Sequence, residues 1–160
     1  MLVVADSSAL VTLSICDSLP LLDSLFGEVT VPQAVYDEVC IANKPESQAL
    51  KTYLAGKVSS FPMSITIEKS AGLGKGELAS MILYKHLAAD LLLVDDARAK
   101  KVAYLNNLEV MGSLGVLLLA KKQGLIVSIQ PLLNRLRYSD IFVSDQLLDQ
   151  VLVMAGESKP

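Results

Sequence analysis

The sequence predicts an α/β fold, a three-layer α/β/α sandwich around a central, mainly parallel sheet. Two observations support this prediction. Short apolar runs, such as residues 2–5 and 91–94, lack the polar alternation of a half-exposed strand, and this is typical of strands buried on both faces. Amphipathic stretches with helical spacing separate these runs, and a helix between two strands allows the strands to run parallel with right-handed crossovers.

Each element has a local signal. Ser7 or Ser8 can cap a helix that continues through Ile15. Pro32 opens a later helix, because proline is tolerated at the first helical position. The predicted order is strand 2–5, helix 7–15, helix 19–26, strand 28–31, helix 32–41, helix 46–55, extended segment 58–67, glycine-rich loop 72–76, helix 77–88, strand 91–94, helix 97–105, strand 109–111 and helices 114–123, 129–137 and 144–155.

Composition indicates one compact domain over residues 1–160, with the C-terminal helices of about residues 129–156 packed on it. The chain is 52% hydrophobic with a net charge of -3, which excludes intrinsic disorder. Cys16 and Cys40 alone cannot form a disulfide framework and fit a reducing, cytoplasmic environment. No apolar run approaches the ~20 residues that span a bilayer, so we expect no association with a membrane.

Acidic residues gather where the predicted strands end. Asp6 follows the first strand, and Asp95 and Asp96 follow strand 91–94. Glu38, on the helix after the second strand, and Glu77, in the first turn after the glycine-rich loop, can reach the same edge of the sheet. Clustered carboxylates repel one another, and a hard cation such as Mg²⁺ or Mn²⁺, which prefers oxygen ligands, removes that cost. The pattern therefore predicts an acidic metal site.

Each acid also has an ordinary structural explanation, which stays open at this point. Asp6, Asp95 or Asp96 could cap the helix that follows it, since aspartate is among the best helix caps. Glu77 could be placed by the dipole of its helix, and Glu38 could be a surface acid.

Basic residues concentrate in the middle of the chain, where residues 69–137 hold ten Lys and Arg against five Asp and Glu. Lys75 lies near a helix N-terminus, and Arg98, Lys100 and Lys101 follow the aspartate pair on one helix. These four are candidates for salt-sensitive contacts with the phosphates of a polyanion, with a solvated surface as the alternative. Arg98 could also balance the acidic pocket near Asp95.

Five stretches in a fixed order extend this pattern over nearly the whole chain. They are VVADSSAL, VPQAVYDEV, GLGKGELASMILYKHLAADLLLVDDARAKKVA, MGSLGVLLLAKKQGLI and IFVSDQLLDQVLVMAGE. Their order and spacing resemble the PIN domains, a superfamily of metal-dependent nucleases. The closest resemblance is to the toxin-like, VapC-type branch found in prokaryotic toxin–antitoxin pairs.

The resemblance assigns roles to particular residues. It implies that Ser8 orients the first aspartate or a water beside it. Many family members have Thr-x-Asp where this chain has Val94-Asp95-Asp96. Asp96 would therefore be an alternate metal ligand or an acid in the outer coordination shell of the metal. The acidic quartet that it implies, both catalytic and binding Mg²⁺ or Mn²⁺, consists of Asp6, Glu38, Glu77 and Asp95.

The resemblance also implies a function. We expect an endoribonuclease that hydrolyses RNA phosphodiesters with a water activated by the metal, leaves a 5′-phosphate, and is inhibited by a small antitoxin protein that masks the pocket. The alternative is a PIN-fold module without catalysis that only binds protein or RNA. The leucine-rich stretches 19–26 and 114–119 further predict a homodimer, because they carry more apolar surface than a small sandwich must bury.

Overall fold

Five parallel strands form one sheet between two layers of helices in the computed structural model, which describes residues 1–41, 43–62 and 64–157. The elements are β1 (Leu2–Ala5), α1 (Ser7–Ile15), α2 (Pro20–Phe26), β2 (Glu28–Pro32), α3 (Gln33–Ile41), α4 (Ser47–Leu54), β3 (Val58–Ser59), α5 (Lys75–Leu87), β4 (Leu91–Leu93), α6 (Ala97–Leu105), β5 (Val110–Met111), α7 (Ser113–Lys122), α8 (Gln130–Arg137) and α9 (Asp145–Met154). The predicted α/β/α sandwich is confirmed.

The strand order β3-β2-β1-β4-β5 puts β1 at the centre of the sheet. Val4 pairs with Thr30 of β2 on one side and with Leu92 of β4 on the other. The chain therefore winds outward in one direction from β1 and in the other direction from β4. Ligand crevices of parallel sheets lie at such a reversal, beyond the carboxyl ends of the strands.

Alternating strand residues feed two hydrophobic cores, one on each face of the sheet. Val3 and Leu93 face a large core that also contains residues of α1, α2, α3, α4, α7, α8 and α9. Val4 and Leu92 face a smaller core with residues of α5 and α6. Both faces of the strands are thus covered, and this explains why the strand sequences are apolar without alternation.

Two of the predicted local signals are wrong. Pro32 ends β2 and does not open the next helix, which begins at Gln33. Ser7 and Ser8 lie inside α1, after its N-cap residue Asp6.

Two of the predicted elements are also wrong in extent. The extended segment 58–67, of which Met63 lies outside the described residues, forms a strand only over Val58–Ser59. Pro62 follows shortly after, and proline has no N–H to donate to a sheet. The loop predicted over residues 72–76 is also shorter, because α5 begins at Lys75 with Gly74 in extended conformation before it.

The helices expected at a dimer interface bury about half of their apolar side chains within the chain, and the partly exposed ones also pack against the large core. Leu22 on α2 and Leu117 on α7 are fully buried. Leu21, Leu25 and Leu119 remain partly exposed. The leucine content of these helices therefore mainly builds the large core.

In the described part of the chain, no helix is by itself long and apolar enough to cross a membrane, and α1 and α2 reach the required length only as a pair bent by 116°.

The chain segment after α9 is fastened by one carboxylate. Glu157 accepts hydrogen bonds from the Ser128 hydroxyl, from the Ile129 N–H at 2.8 Å and from Lys121 Nζ at 2.9 Å. Burial raises the pKa of Glu157, but these hydrogen bonds outweigh it and lower that pKa to about 2. The ionised form therefore ties the end of α9 to the start of α8.

Replacing this carboxylate should lower stability by an amount that depends on pH. The folded pKa lies below the ordinary value of 4.5, so Glu157 stabilises the fold above pH 4.5 and loses that contribution as the pH falls towards 2. We expect Glu157→Gln to lower the free energy of unfolding at pH 7 by about 1–3 kcal/mol, the range for a hydrogen bond to a charged group. Thermal unfolding between pH 7 and pH 3 should show the difference shrinking, whereas the exposed control Glu109→Gln should stay near wild type throughout.

Candidate functional site

A cavity of about 1030 Å³ opens at the carboxyl ends of β1, β4 and β5. All five acids singled out from the sequence line it. Asp6 follows β1, Glu38 lies on α3, Glu77 lies on α5, and Asp95 and Asp96 follow β4. The topological rule that parallel strands end at one functional edge therefore locates the site.

Asp6 is the most buried of these acids, with a relative exposure of 3%. Its side chain makes no cap for α1; it accepts a hydrogen bond from Ser8 Oγ at 3.1 Å. Ser80 Oγ lies 3.5 Å from Asp6 Oδ1 and donates its proton to the Gly76 carbonyl at 2.8 Å.

Burial raises the pKa of Asp6 to about 6, and the negative charges of Glu77 and Glu38 also raise it. Hydrogen bonds from the Ser7 N–H and the Ser8 hydroxyl act in the opposite direction and lower that pKa. A carboxylate placed at such electrostatic cost is not explained as a helix cap.

Ser8 joins the ends of the two central strands. Its hydroxyl donates to Asp6 after β1 and accepts the Asp95 N–H after β4 at 2.9 Å. The Asp6 N–H in turn donates to the Leu93 carbonyl at 2.8 Å. These bonds fix the spacing between the first and the fourth predicted acid.

Asp95 is held from the start of α7. Ser113, the first residue of that helix, donates its N–H to Asp95 Oδ1 and its hydroxyl to Oδ2, both at 2.6 Å. Gly112 passes beside this contact: a Cβ there would lie 3.1 Å from Asp95 Oδ1 and 2.9 Å from Lys100 Nζ. The sequence analysis missed Ser113, although its position directly after β5 puts it at the same edge as the acids.

Asp96 does cap a helix, since its Oδ2 accepts the Ala99 N–H at 2.9 Å at the start of α6. Glu77 lies across the cavity edge in the first turn of α5. Burial raises the pKa of Glu77, the charge of Asp96 raises it further, and the Gly74 N–H and Arg98 oppose them. A glutamate that receives the N–H at the start of its own helix forms one half of a capping box. Both acids therefore combine a capping role with a place at the cavity.

Glu38 is exposed and is steered by a hydroxyl. Ser7 Oγ donates to Glu38 Oε2 at 2.8 Å. A Cβ at Gly76 would lie 2.5 Å from the same oxygen, so any larger residue at position 76 would push the carboxylate away. The glycine-rich sequence before Glu77 thus makes room for an acid that lies 38 residues earlier in the chain.

These acids fit a hydrated divalent cation. Among the described residues, the ion pairs involve Glu157, Asp145 and Asp149, and none involves the five cavity acids. In the same part of the chain, no group of three or more His, Cys, Asp and Glu side chains is arranged to hold one metal ion, and hydroxyl groups bind Glu38 and Asp95 at separate places. Mg²⁺ needs only one or two carboxylates because it keeps several of its waters. The oxygen-rich donor set therefore suits Mg²⁺ or a similar hard cation.

The basic candidates separate into two groups. Lys100 lines the cavity, as does Lys44, which the sequence analysis did not single out. Lys75 and Lys101 are exposed outside the cavity lining. Arg98 forms no ion pair with Asp95 among the described residues; its guanidinium donates instead to the Ala71 carbonyl at 3.1 Å.

The other half of the cavity is apolar, which the sequence analysis also missed. Its wall is formed by α7, α9 and the segment between α8 and α9. Phe142 and Met154 on this wall have relative exposures of 91% and 72%. A signal was present, because Phe142 is a large apolar residue in the loop two positions before the helix cap Ser144, whereas only Val143 next to the cap packs against the core.

The comparison with family models decides what this site belongs to. A model described as PIN domain matches residues 2–157, nearly the whole chain. The chain belongs to the PIN domain family. No curated protein matches it. PIN domains are generally nucleases that typically use divalent metal ions, and in this PIN domain the acids line one cavity at the carboxyl edge of the sheet.

Proposed function

We propose that this PIN domain is an endoribonuclease dependent on Mg²⁺ or Mn²⁺. The observation that carries the proposal is the burial of Asp6 beside Glu77 and Glu38, with no basic side chain paired to it among the described residues. A buried, unpaired carboxylate costs several kcal/mol, and a bound cation offsets that cost. Asp6, Glu38, Glu77 and Asp95 would hold the metal, with Asp96 beside them.

The residues around the acids have distinct tasks in this proposal. When bound, the metal would activate a water for attack on phosphorus and stabilise negative charge on the phosphoryl group. Ser8 keeps Asp6 and Asp95 in register, and Ser7 keeps Glu38 turned to the cavity. Lys100, at the cavity wall, is placed to attract the RNA backbone, whereas Lys75 and Lys101 would act further along the strand. With the 3′-oxygen of the ribose as the leaving group, hydrolysis would yield a 5′-phosphate and a 3′-hydroxyl, as the resemblance to PIN domains implies.

RNA cleavage tests the proposal directly. Protein stripped with EDTA should not cut a mixed set of structured and single-stranded RNAs, and Mn²⁺ or Mg²⁺ should restore cleavage. Asp6→Asn should lower the rate by about 100-fold or more, equivalent to about 3 kcal/mol in the activation barrier. Asp37→Asn makes the same charge change at an exposed position next to Glu38, outside the cavity lining, and should cleave like wild type. Equal cleavage by wild type and Asp6→Asn would contradict the proposal.

One observation favours the alternative, a catalytically silent module that binds protein or RNA. In the described residues the acids do not converge as a ready three-ligand cluster. Metal binding separates the two functions. A nuclease should show a rise in melting temperature with Mn²⁺ that Asp6→Asn abolishes, whereas a silent module should show neither this rise nor cleavage.

We further propose that this PIN domain is the toxin of a toxin–antitoxin pair, with a small antitoxin protein as its partner. Support comes from the two halves of the cavity, one lined by the five predicted acids and the other by exposed apolar side chains. An amphipathic segment with basic residues on its polar side complements both halves. Such a segment would bring an Arg or Lys among the carboxylates and mask them.

Expression in a bacterial host tests the toxin role. The wild-type protein expressed alone should arrest growth, and Asp6→Asn should not, while Asp37→Asn should remain toxic. Co-expression of a small open reading frame adjacent to the gene should relieve the arrest. Normal growth at a high level of folded wild-type protein would contradict the role as a toxin and leave the nuclease activity to be judged by the cleavage assay.

We also propose a homodimer. α2 and α7 are in contact, and their partly exposed Leu21, Leu25 and Leu119 are available to a second copy. Size-exclusion chromatography with light scattering at micromolar concentration should give twice the chain mass of 17.2 kDa. A mass equal to one chain would contradict the dimer.

A further inference from the structure

The connection that leads to Glu77 is long and has little regular structure. Between β3 and α5 lie residues 60–74, of which Met63 is outside the described residues. The position of Glu77 at the cavity therefore depends on what holds this connection. In the described part, two side chains hold this connection. Asn106, directly after α6, binds it at Glu68, and Arg98 of α6 binds it at Ala71.

Asn106, which directly follows α6, holds the connection at Glu68. Its Oδ1 accepts the Glu68 N–H and its Nδ2 donates to the Glu68 carbonyl, both at 2.9 Å. The same Nδ2 also donates to the Val102 carbonyl at 2.9 Å. Asn106 is 8% exposed, so these bonds are shielded from water. A side-chain amide here acts in place of a neighbouring strand.

Arg98, in the first turn of α6, holds the connection at Ala71. Its Nη2 donates to the Ala71 carbonyl at 3.1 Å. The guanidinium occupies the space beside Gly72 that a Cβ would fill, because an ideal Cβ there overlaps Arg98 Nη2. Gly72 also has a φ of +86°, in the left-handed region that favours glycine. Position 72 therefore favours glycine for two independent reasons: the space that Arg98 occupies and the left-handed backbone conformation.

The contact between Arg98 and Ala71 joins α6 to the segment that leads into α5. These two helices, which pack in the smaller core, carry Asp96 and Glu77 at their starts. Arg98 lies two residues after Asp96, on the helix that Asp96 caps. Ala71 lies six residues before Glu77, inside a turn that the Leu73 N–H closes by donating to the Ser70 carbonyl at 3.0 Å. A positive charge at this place also opposes the repulsion between Asp96 and Glu77.

We propose that Arg98 is a positioning residue for Glu77, holding the start of α5 beside Asp96, and that it does not bind the substrate's phosphates. The expected effect on metal binding rests on the proposed metal-dependent function. The structural part of the inference, the attachment of residues 68–77 to α6, stands apart from that function. It also revises the sequence-based grouping of Arg98 with Lys75, Lys100 and Lys101.

Metal affinity and RNA affinity separate positioning from phosphate binding. The variants are Arg98→Gln, Arg98→Lys and Gly72→Ala, with Arg135→Gln as a control that removes an exposed positive charge from α8. Mn²⁺ affinity is measured by calorimetry, RNA affinity in EDTA over a range of salt concentrations, and backbone hydrogen exchange on the metal-free protein. Supporting residues around metal sites typically change metal affinity by about 10–100-fold, so we expect Mn²⁺ to bind about tenfold more weakly to Arg98→Gln.

The expected pattern has four parts. Gly72→Ala should weaken Mn²⁺ binding as Arg98→Gln does, because it displaces the guanidinium. Arg98→Lys should keep most of the affinity, since an ammonium can still reach one carbonyl. Hydrogen exchange over residues 68–78 should be faster in Arg98→Gln and Gly72→Ala than in wild type. RNA affinity and its salt dependence should equal those of Arg135→Gln.

Two results would overturn the inference. One is weaker RNA binding by Arg98→Gln, with a salt slope reduced by about 1, together with wild-type Mn²⁺ affinity and hydrogen exchange; this is the signature of a phosphate contact. The other is unchanged exchange over residues 68–78. If wild type binds no Mn²⁺, the proposed function fails, and the exchange rates alone decide whether Arg98 holds the connection.

Discussion

Mutual repulsion among carboxylates at one edge of the sheet is the constraint on which the rest of this site depends. Asp6 is almost fully buried, and the negative charges of Glu77 and Glu38 act on it. Hydroxyl groups hold these carboxylates: Ser8 donates a hydrogen bond to Asp6, and Ser7 donates one to Glu38. Hydroxyls donate hydrogen bonds without adding a competing cation, so the pocket stays acidic and keeps its attraction for a metal.

Crowding sets a second condition, which glycine satisfies. Gly76 leaves space for Glu38, and Gly112 leaves space for Asp95 and Lys100. Neither glycine has a positive φ among the described backbone angles, so their role is close approach of side chains and not backbone freedom. Gly72 differs, because it needs both the left-handed conformation and the missing Cβ. The glycines at positions 72 and 76 of the glycine-rich stretch are therefore explained by the close packing of an arginine and a glutamate.

The parts of the structure that follow local rules could be predicted from the sequence. Buried strands reveal themselves as apolar runs, and an acid directly after such a run must lie at the sheet edge, which located Asp6 and Asp95. Contacts between residues far apart in the chain leave no local signal. Ser113 reaches Asp95 across 18 positions, and Asn106 reaches Glu68 across 38. The short strand β3 was overestimated for a related reason, because pairing with β2 and not propensity decides where it ends.

The adjacent acids Asp95 and Asp96 show how the site combines the two helical layers. Successive side chains leave the end of a strand in different directions. Asp95 turns to Ser113 at the start of α7, which packs in the large core, whereas Asp96 caps α6 and faces Glu77 of α5, which pack in the small one. A single aspartate after β4 could serve only one of these layers. The doubled aspartate lets the cavity draw acids from both faces of the sheet, so that the carboxyl edge, and neither helical layer alone, defines the site.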